Sequence, residues 1–474
     1  MADQHPVPVA GERRTASEAI EVINPYDGSL VGLVPRFGPR DVDDAVRAAA
    51  AALREEPLAA WVRADILDRA ADLVRDRRDE LARTIAVEAA KPLKTARVEA
   101  ERCEATFRFS AAVARTLTGE MVPLDASAPG EGKLGFVLRV PVGVVAAISP
   151  FNFPLNLVAH KLAPAIAAGC PVVLKPASQT PFSAIALAEL LIDEAGLPAS
   201  WLHVVTGGGA DVGDPLVEHP DVALITFTGS PDVGWAIRAK APRKRVGLEL
   251  GNNAPLIIEA DGDWRGAAAK VKVAGFSHAG QSCISTQRIY VHRSIHDDFV
   301  AALVDHVHSL HVGDPLDEAT DVSSLISPTE TARVSTWIGD AVAAGAAIAV
   351  GGAVNGRVLQ PTVLTGVLPD MEVCRSEVFG PVVAVAAYDE LDDALALAND
   401  TRYGLQAAVF TNDLAVALRA AHELDFGGVL VNEVPTWRAD QMPYGGVRDS
   451  GNTREGPAYA VREMTEERLV VIQP

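Results

Sequence analysis

The sequence predicts an α/β protein with two parallel sheets, each covered by helices, and a small antiparallel appendage. Three observations carry that reading. Short apolar runs alternate with amphipathic helical stretches between Val140 and Leu250. The same alternation resumes near Phe276. Finally, the turn-rich stretch "DASAPGEGK", Asp125 to Lys133, separates two candidate strands, and the closing "EERLVVIQP" reads as a strand able to pair with them, in this subunit or another.

The elements follow in order. From Asp41, "DVDDAVRAAAAAL" has an Asp N-cap and high helical propensity. "WVRADILDRAADLVRDRRDELARTIAVEAA" continues with apolar residues at helical spacing, so the first hundred residues are expected to be largely helical. Beyond the turn-rich break, "VGVVAAIS", "PVVLK", "LHVVTG", "ALITFTG" and "VGLELG" are strands, with helices between them. Apolar strands joined by helices imply a parallel sheet buried on both faces, the architecture of a dinucleotide-binding domain. In the second region "RIYVH", "AAIAVGG", "PVVAVAAY", "QAAVFT" and "GGVLVN" are the expected strands.

Bulk composition narrows the partners. A chain of 474 residues is expected to hold two or three domains. Its 42 basic and 62 acidic residues give a net charge of −20, which argues against nucleic acid or an anionic membrane as the main partner. Four scattered cysteines make neither a disulfide framework nor a metal site, and the N-terminus lacks the apolar core of a signal peptide, so a reduced, cytoplasmic setting is expected. The uncharged run Val140 to Ala159 has the length of a membrane span. Pro141, Pro150 and Pro154 break it as a helix, and Asn152 and Asn156 are costly in lipid, so it is read as buried sheet and loop.

Several short stretches stand out chemically. "FSHAGQSCIS" sets Cys283 among small polar residues rather than bulky apolar ones, which raises the question of a nucleophile. "LELGNNAP" ends an apolar strand on Glu249, either a solvated carboxylate or a base. "SPFNFPLN" places Asn152 between Phe151 and Phe153, as a loop anchor or an oxyanion donor. "KPASQTP" puts Lys175 at a strand end, where parallel sheets bind ligands, or simply at the surface. "FTGSPDVG" leads Gly229, Ser230 and Gly234 into a helix whose N-terminus suits a phosphate. "HVHSLH", His306 to His311, reads as a solvated helix end, and no metal is expected.

Taken in order, "SPFNFP", "VLKPASQTP", "ITFTGS", "LELGNNAP", "GQSCIS", "SEVFGPV" and "MPYGGVRDSGNTREG" closely resemble the aldehyde dehydrogenase superfamily, from about Val22 to the C-terminus. The resemblance implies Cys283 as nucleophile, with the Asn152 amide and the Cys283 backbone N–H as oxyanion hole. It implies Glu249 as the base that activates water, and Lys175 within the catalytic set and at the cofactor ribose. It also assigns Phe151, Ser178, Gly229, Ser230, Gly234, Glu377 and Phe379 to cofactor binding. Strongly NAD-preferring members have glutamate where this chain has Ser178. NADP is therefore expected to be accepted beside NAD, and a preference for it is left open.

For the substrate, the motifs look like the succinate-semialdehyde, lactaldehyde and phosphonoacetaldehyde dehydrogenase branch. His160 and Ser277 stand where the succinate-binding arginines would be, and Ser282 replaces the arginine of non-phosphorylating glyceraldehyde-3-phosphate dehydrogenases. Phe153, His160, Arg108, Arg438, Trp437, Ser282 and Ile284 are the expected substrate contacts, for a small anionic or hydroxylated aldehyde. Arg108 and Arg438 have the alternative of structural salt bridges. Acylating dehydrogenases that pass the acyl group to coenzyme A generally lack the glutamate, so Glu249 favours hydrolysis; that activity and a cofactor-independent cysteine esterase are the alternatives. By the same resemblance, Rossmann-like cofactor-binding (1–117 and 140–250) and catalytic (251–448) domains are expected, with an oligomerisation flap (118–139 and 449–474). A homodimer or homotetramer follows, since a lone flap exposes strand edges.

Overall fold

A computed structural model describes residues 3–474; Met1 and Ala2, which open the first expected segment, lie outside the described residues. A five-stranded sheet runs in the order Arg245–Glu249, Val222–Thr228, Val144–Ile148, Val172–Lys175, Leu202–Val204, every neighbouring pair parallel. The chain enters at the central strand Val144–Ile148, builds outward on one side, then crosses to the other. That reversal opens a crevice at the strands' carboxyl ends, where ligands of open parallel sheets bind. Asn152, Lys175, Ser230 and Glu249 all follow or end strands of this sheet.

The second sheet has seven strands, ordered Ala347–Val350, Thr362–Thr365, Val382–Tyr388, Thr286–His292, Ala254–Ile258, Gln406–Phe410, Gly428–Val431. All pairs are parallel except at the first strand, which is antiparallel to Thr362–Thr365. The link between those two contains only the short pair Val354–Asn355 and Val358–Leu359, with no crossover helix, and a parallel connection needs one. Ala254–Ile258, fully buried, is a strand absent from the sequence expectation; only a short loop separates it from Arg245–Glu249.

The N-terminal region departs from the expectation of helix. Antiparallel pairs Val7–Val9 with Glu12–Arg14, and Ala19–Ile23 with Leu30–Pro35, precede the first helix. The second pair turns at "NPYDGS", whose Asn-Pro and Asp-Gly steps favour a reversal over helix. The helices Pro39–Glu55, Ala60–Asp76, Arg78–Ala89 and Leu93–Thr116 follow. Asp41 stands in the first turn of its helix rather than at the cap, its carboxylate accepting from the Gly38 N–H at 3.1 Å.

Met121–Val122, Leu134–Pro141 and Thr465–Ile472 form a three-stranded antiparallel sheet, with the last strand paired along its whole length to Leu134–Pro141 of the same chain. The expected flap therefore starts later at its C-terminal part. Helix Pro457–Glu463 buries Ala460 and Val461 in the body of the protein, and Gly451 bridges to Glu249, so residues from 449 to 464 belong to the sheet's flank.

Helix Asn156–Ala168 crosses the centre and is buried at every position, including Asn156, His160 and Lys161. Polar groups so placed require partners: Asn156 and His160 reach Thr106 and Asp440, and Lys161 reaches Thr226 and Thr228 of the first sheet. Among the described residues no helix is long and apolar enough to cross a membrane.

Candidate active site

The cysteine loop is shaped by strain and by one glutamine. His278, Ala279 and Gly280 have φ of 50°, 53° and 69°, a left-handed run that costs about 1 kcal/mol or more for each residue bearing a Cβ. Gln281 holds the loop against that cost. Its side chain accepts from the Ile326 N–H at 2.9 Å and donates to the His278 carbonyl at 3.2 Å. Its own carbonyl accepts from Asn152 Nδ2 at 2.9 Å. The buried Asn152 amide is thus fixed two residues before Cys283, with one N–H engaged and one left over.

Cys283 is half-buried, while Cys103, Cys170 and Cys374 are buried. Burial pushes the Cys283 thiol up to about 12. The Tyr444 hydroxyl, 2.9 Å from Sγ, pulls the other way. Ile284, Leu405, Met442 and Tyr444 form an apolar cluster against the cysteine.

Glu249 is buried, and neither oxygen of its carboxyl has a hydrogen-bond partner. Burial, and then the neighbouring Glu455, push it well above the ordinary carboxylate range. Its side chain lies over the backbone of Gly445, where a Cβ would stand 2.7 Å from Oε1, so glycine there gives the carboxyl its place. The Glu249 carbonyl accepts from the Gly229 N–H at 3.1 Å, which ties the strand end to the neighbouring loop.

A charged cluster lies beside these groups. Arg438 donates to Glu455 at 2.9 Å and contacts His160 Nε2 at 3.2 Å. Its guanidinium stacks on the Tyr444 ring, 3.8 Å from the centroid. Lys161 Nζ lies 3.7 Å from the other oxygen of Glu455 and donates to Thr228 at 2.6 Å. His160 Nε2 is 3.0 Å from Asp440, which also pairs with Arg102 at 2.8 Å. Burial raises the Asp440 carboxyl, but the His160 contact and the Arg102 guanidinium outweigh it and hold the group below its ordinary range.

Of the residues expected to bind the cofactor, Phe151, Lys175, Ser178, Gly229, Ser230 and Gly234 follow or end strands of the first sheet, and Glu377 and Phe379 precede strand Val382–Tyr388 of the second. Lys175 is a cation with no carboxylate partner; Nζ reaches only the Pro176 carbonyl at 3.4 Å, and burial lowers its affinity for the proton. Ser178 donates to the Gly207 carbonyl at 3.1 Å. Ser230 stands at the N-cap position of helix Pro231–Lys240 without a side-chain capping bond, and Gly234 lies where a Cβ would strike Leu250. Glu377 accepts from the Asn252 N–H at 3.0 Å, and burial pushes its carboxyl up to about 7. Phe379, at φ 47°, meets Phe151 edge-to-face with centroids 5.8 Å apart. A half-buried lysine, a hydroxyl and a helix N-terminus without a side-chain cap bond, at one crevice, fit a phosphate-bearing dinucleotide.

Among the expected substrate contacts, Arg108 is engaged elsewhere. Arg108 turns to helix Ala60–Asp76, where Asp72 lies at 2.5 Å and Asp68 at 3.5 Å, so it is committed to a surface ion-pair network. Trp437 is exposed, and its carbonyl rather than its ring reaches Gln406. Phe153 packs edge-on to His278 and under Lys91. Ser282 is half-buried, its hydroxyl facing the Ile284 N–H at 3.5 Å. Sequence reasoning missed Gln281, Tyr444, Asp440, Glu455 and Lys161. All but Lys161 stand in or beside the quoted motifs, yet nothing in their spacing announces a shared pocket.

Comparison with known proteins agrees with this chemistry. The model of the aldehyde dehydrogenase family matches residues 13–470. The 3-sulfolactaldehyde dehydrogenase of Priestia megaterium is 48% identical over 469 residues, 99% of this chain and 98% of that protein. Aldehyde dehydrogenase 21 of Physcomitrella patens, solved with the reaction product succinate, superposes with a TM-score of 0.95 at 37% identity, covering 100% and 98% of the two chains. The glyceraldehyde-3-phosphate dehydrogenase of Methanocaldococcus jannaschii, solved with NADP, gives 0.92 at 37% identity, covering 97% and 100%. A thiol beside a pinned amide, a buried carboxyl and a dinucleotide crevice, on a chain matched almost end to end, make this protein an enzyme of the aldehyde dehydrogenase family.

Proposed function

We propose that the enzyme oxidises a small anionic 2-hydroxyaldehyde, with 3-sulfolactaldehyde the leading candidate, to its carboxylic acid. The observation that carries this reading is the 48% identity to a 3-sulfolactaldehyde dehydrogenase along nearly the whole of both chains. Arg438, its side chain 5% exposed and its Nε unpartnered among the described residues, supports an anionic head group.

The sulfur of Cys283 adds to the aldehyde carbon. The free N–H of Asn152 and the backbone N–H of Cys283 take up the charge that grows on oxygen. Bound NAD or NADP supplies the hydride acceptor. Glu249 then draws a proton from water, which attacks the thioester on Cys283 and releases the acid. Lys175, unpaired, and Ser178, where a glutamate would repel phosphate, support use of both cofactors. The five-stranded half is the cofactor-binding part in this reading, and the seven-stranded half carries the nucleophile. Leu134, Leu138, Leu469 and Val471 are exposed on the three-stranded sheet and support its burial in a homodimer or homotetramer.

The test is kcat/KM for 3-sulfolactaldehyde, lactaldehyde, succinate semialdehyde and glyceraldehyde 3-phosphate with each cofactor. A preference for 3-sulfolactaldehyde over lactaldehyde of about tenfold or more is expected, corresponding to about 1.4 kcal/mol of sulfonate recognition. Equal values for the two would sink the anionic reading. Light scattering that returns the mass of one chain would sink the oligomer.

A further inference from the structure

The environment of Cys283 presents a physical problem that the oxyanion hole does not solve. Two carboxyls, Glu377 and Glu249, face the sulfur and oppose its ionisation. His278, close in sequence, is buried with neither ring nitrogen hydrogen-bonded, and packs on Phe153 instead. Arg438 is the cation that favours the thiolate, yet its guanidinium is spent on Glu455, on His160 and on the face of Tyr444. Among the described residues, the sulfur's one direct polar contact is the Tyr444 hydroxyl at 2.9 Å.

Tyr444 is built to hold that contact. It is buried within the Ile284, Leu405 and Met442 cluster. Its backbone exchanges two hydrogen bonds with Glu455, at 3.1 Å and 2.6 Å. Glu455 in turn binds the guanidinium stacked on the Tyr444 ring, so ring, cation and carboxylate fix one another.

We propose that Tyr444 is a catalytic residue of this enzyme: its phenol O–H donates to Cys283 Sγ and stabilises the attacking thiolate, with Arg438 as the positioning residue that holds the ring. When the S–H bond breaks, the proton leaves to solvent and the electron pair stays on sulfur. The phenol keeps its own proton, since burial pushes Tyr444 well above its ordinary value, and so remains a donor. A hydrogen bond to a charged acceptor is about twice as strong as a neutral one, so the contact gains strength as the thiolate forms. The proposal rests on Cys283 as the nucleophile, but not on which aldehyde the enzyme takes.

The test is the pH profile of alkylation by iodoacetamide in the full-length enzyme without substrate, following the Cys283 peptide by mass spectrometry. In Tyr444→Phe, which keeps the ring beneath Arg438, alkylation between about pH 7 and 10, below the raised thiol value, should slow by about threefold, a roughly tenfold loss of thiolate offset in part by its greater nucleophilicity. 3-Fluorotyrosine at position 444 keeps the packing and is a stronger donor, so it should speed alkylation over the same range. A packing role would move the melting temperature and leave the 3-fluorotyrosine enzyme at the wild-type rate. An unchanged rate in folded Tyr444→Phe, or in the 3-fluorotyrosine enzyme where Tyr444→Phe does not fold, overturns the proposal. Cys283→Ala separates the two readings, since turnover surviving in that variant would remove the nucleophile itself.

Discussion

Replacing Asn152 by alanine should cripple acylation while leaving the nucleophile in place. The amide is buried and fixed by one N–H to the Gln281 carbonyl at 2.9 Å, which leaves the second N–H for the oxyanion. Loss of one such donor costs about 10²–10³ in kcat, or roughly 3–4 kcal/mol of barrier. The Cys283 backbone N–H remains, which keeps the expected loss within that range. The Gln281 carbonyl is left without its partner, at a cost of about 1–3 kcal/mol in stability. The cysteine loop should nonetheless keep its form, since Gln281 is still tied to Ile326 and His278. Stopped-flow measurement of the first turnover isolates acylation, and iodoacetamide labelling of Cys283 checks the loop. A first-turnover rate within threefold of wild type, or an effect confined to KM, would refute the assignment of Asn152.

Three further outcomes follow from the geometry. Glu249→Gln should retain the first turnover and lose about 10²–10⁴ in steady-state rate, as expected when a general base is removed. Because Glu249 is raised and acts as carboxylate, the wild-type steady-state rate should fall as pH is lowered through the raised value, and the variant should lack that dependence. Asp440→Asn leaves His160 and Arg102 without their shared carboxylate and should destabilise the fold by about 3 kcal/mol, read from the denaturant midpoint. The Asp440 carboxyl is held below its ordinary value of about 3.9, so its stabilisation is present above that pH and is lost as pH falls further; an acid-unfolding limb unchanged in the variant would contradict this. Arg108→Ala should leave kcat/KM for an anionic aldehyde within about twofold and cost less than about 1 kcal/mol in stability, since its ion pairs are partly exposed. A tenfold rise in KM would return Arg108 to the substrate funnel.

Much of the fold was legible because strands of a parallel sheet, buried on both faces, appear as unbroken apolar runs. The polar residues that end those runs, Lys175 and Glu249, stand out against them, and the topology sends both to one crevice. Where apolar runs are short or closely spaced the pattern fails. The hairpins before Pro39 and the strand Ala254–Ile258 are absent from the sequence expectation, and the antiparallel edge strand Ala347–Val350 looks like its parallel companions.

The sequence by itself determined the family and the alternation that makes both sheets, and it singled out Cys283, Asn152, Glu249 and Lys175 as candidates. These are properties of single segments, read from local composition and order. Only the tertiary structure decided which charges serve the pocket. Arg102 and Arg108 share one helix, but at 3.6 residues per turn they point roughly 120° apart. One therefore meets Asp440 beside His160, and the other meets the acidic face of the neighbouring helix. Tyr444 lies 161 residues from the sulfur it touches. No periodicity spans that interval, because the contact exists only once the cysteine loop, the buried helix Asn156–Ala168 and the segment around Glu455 have packed together.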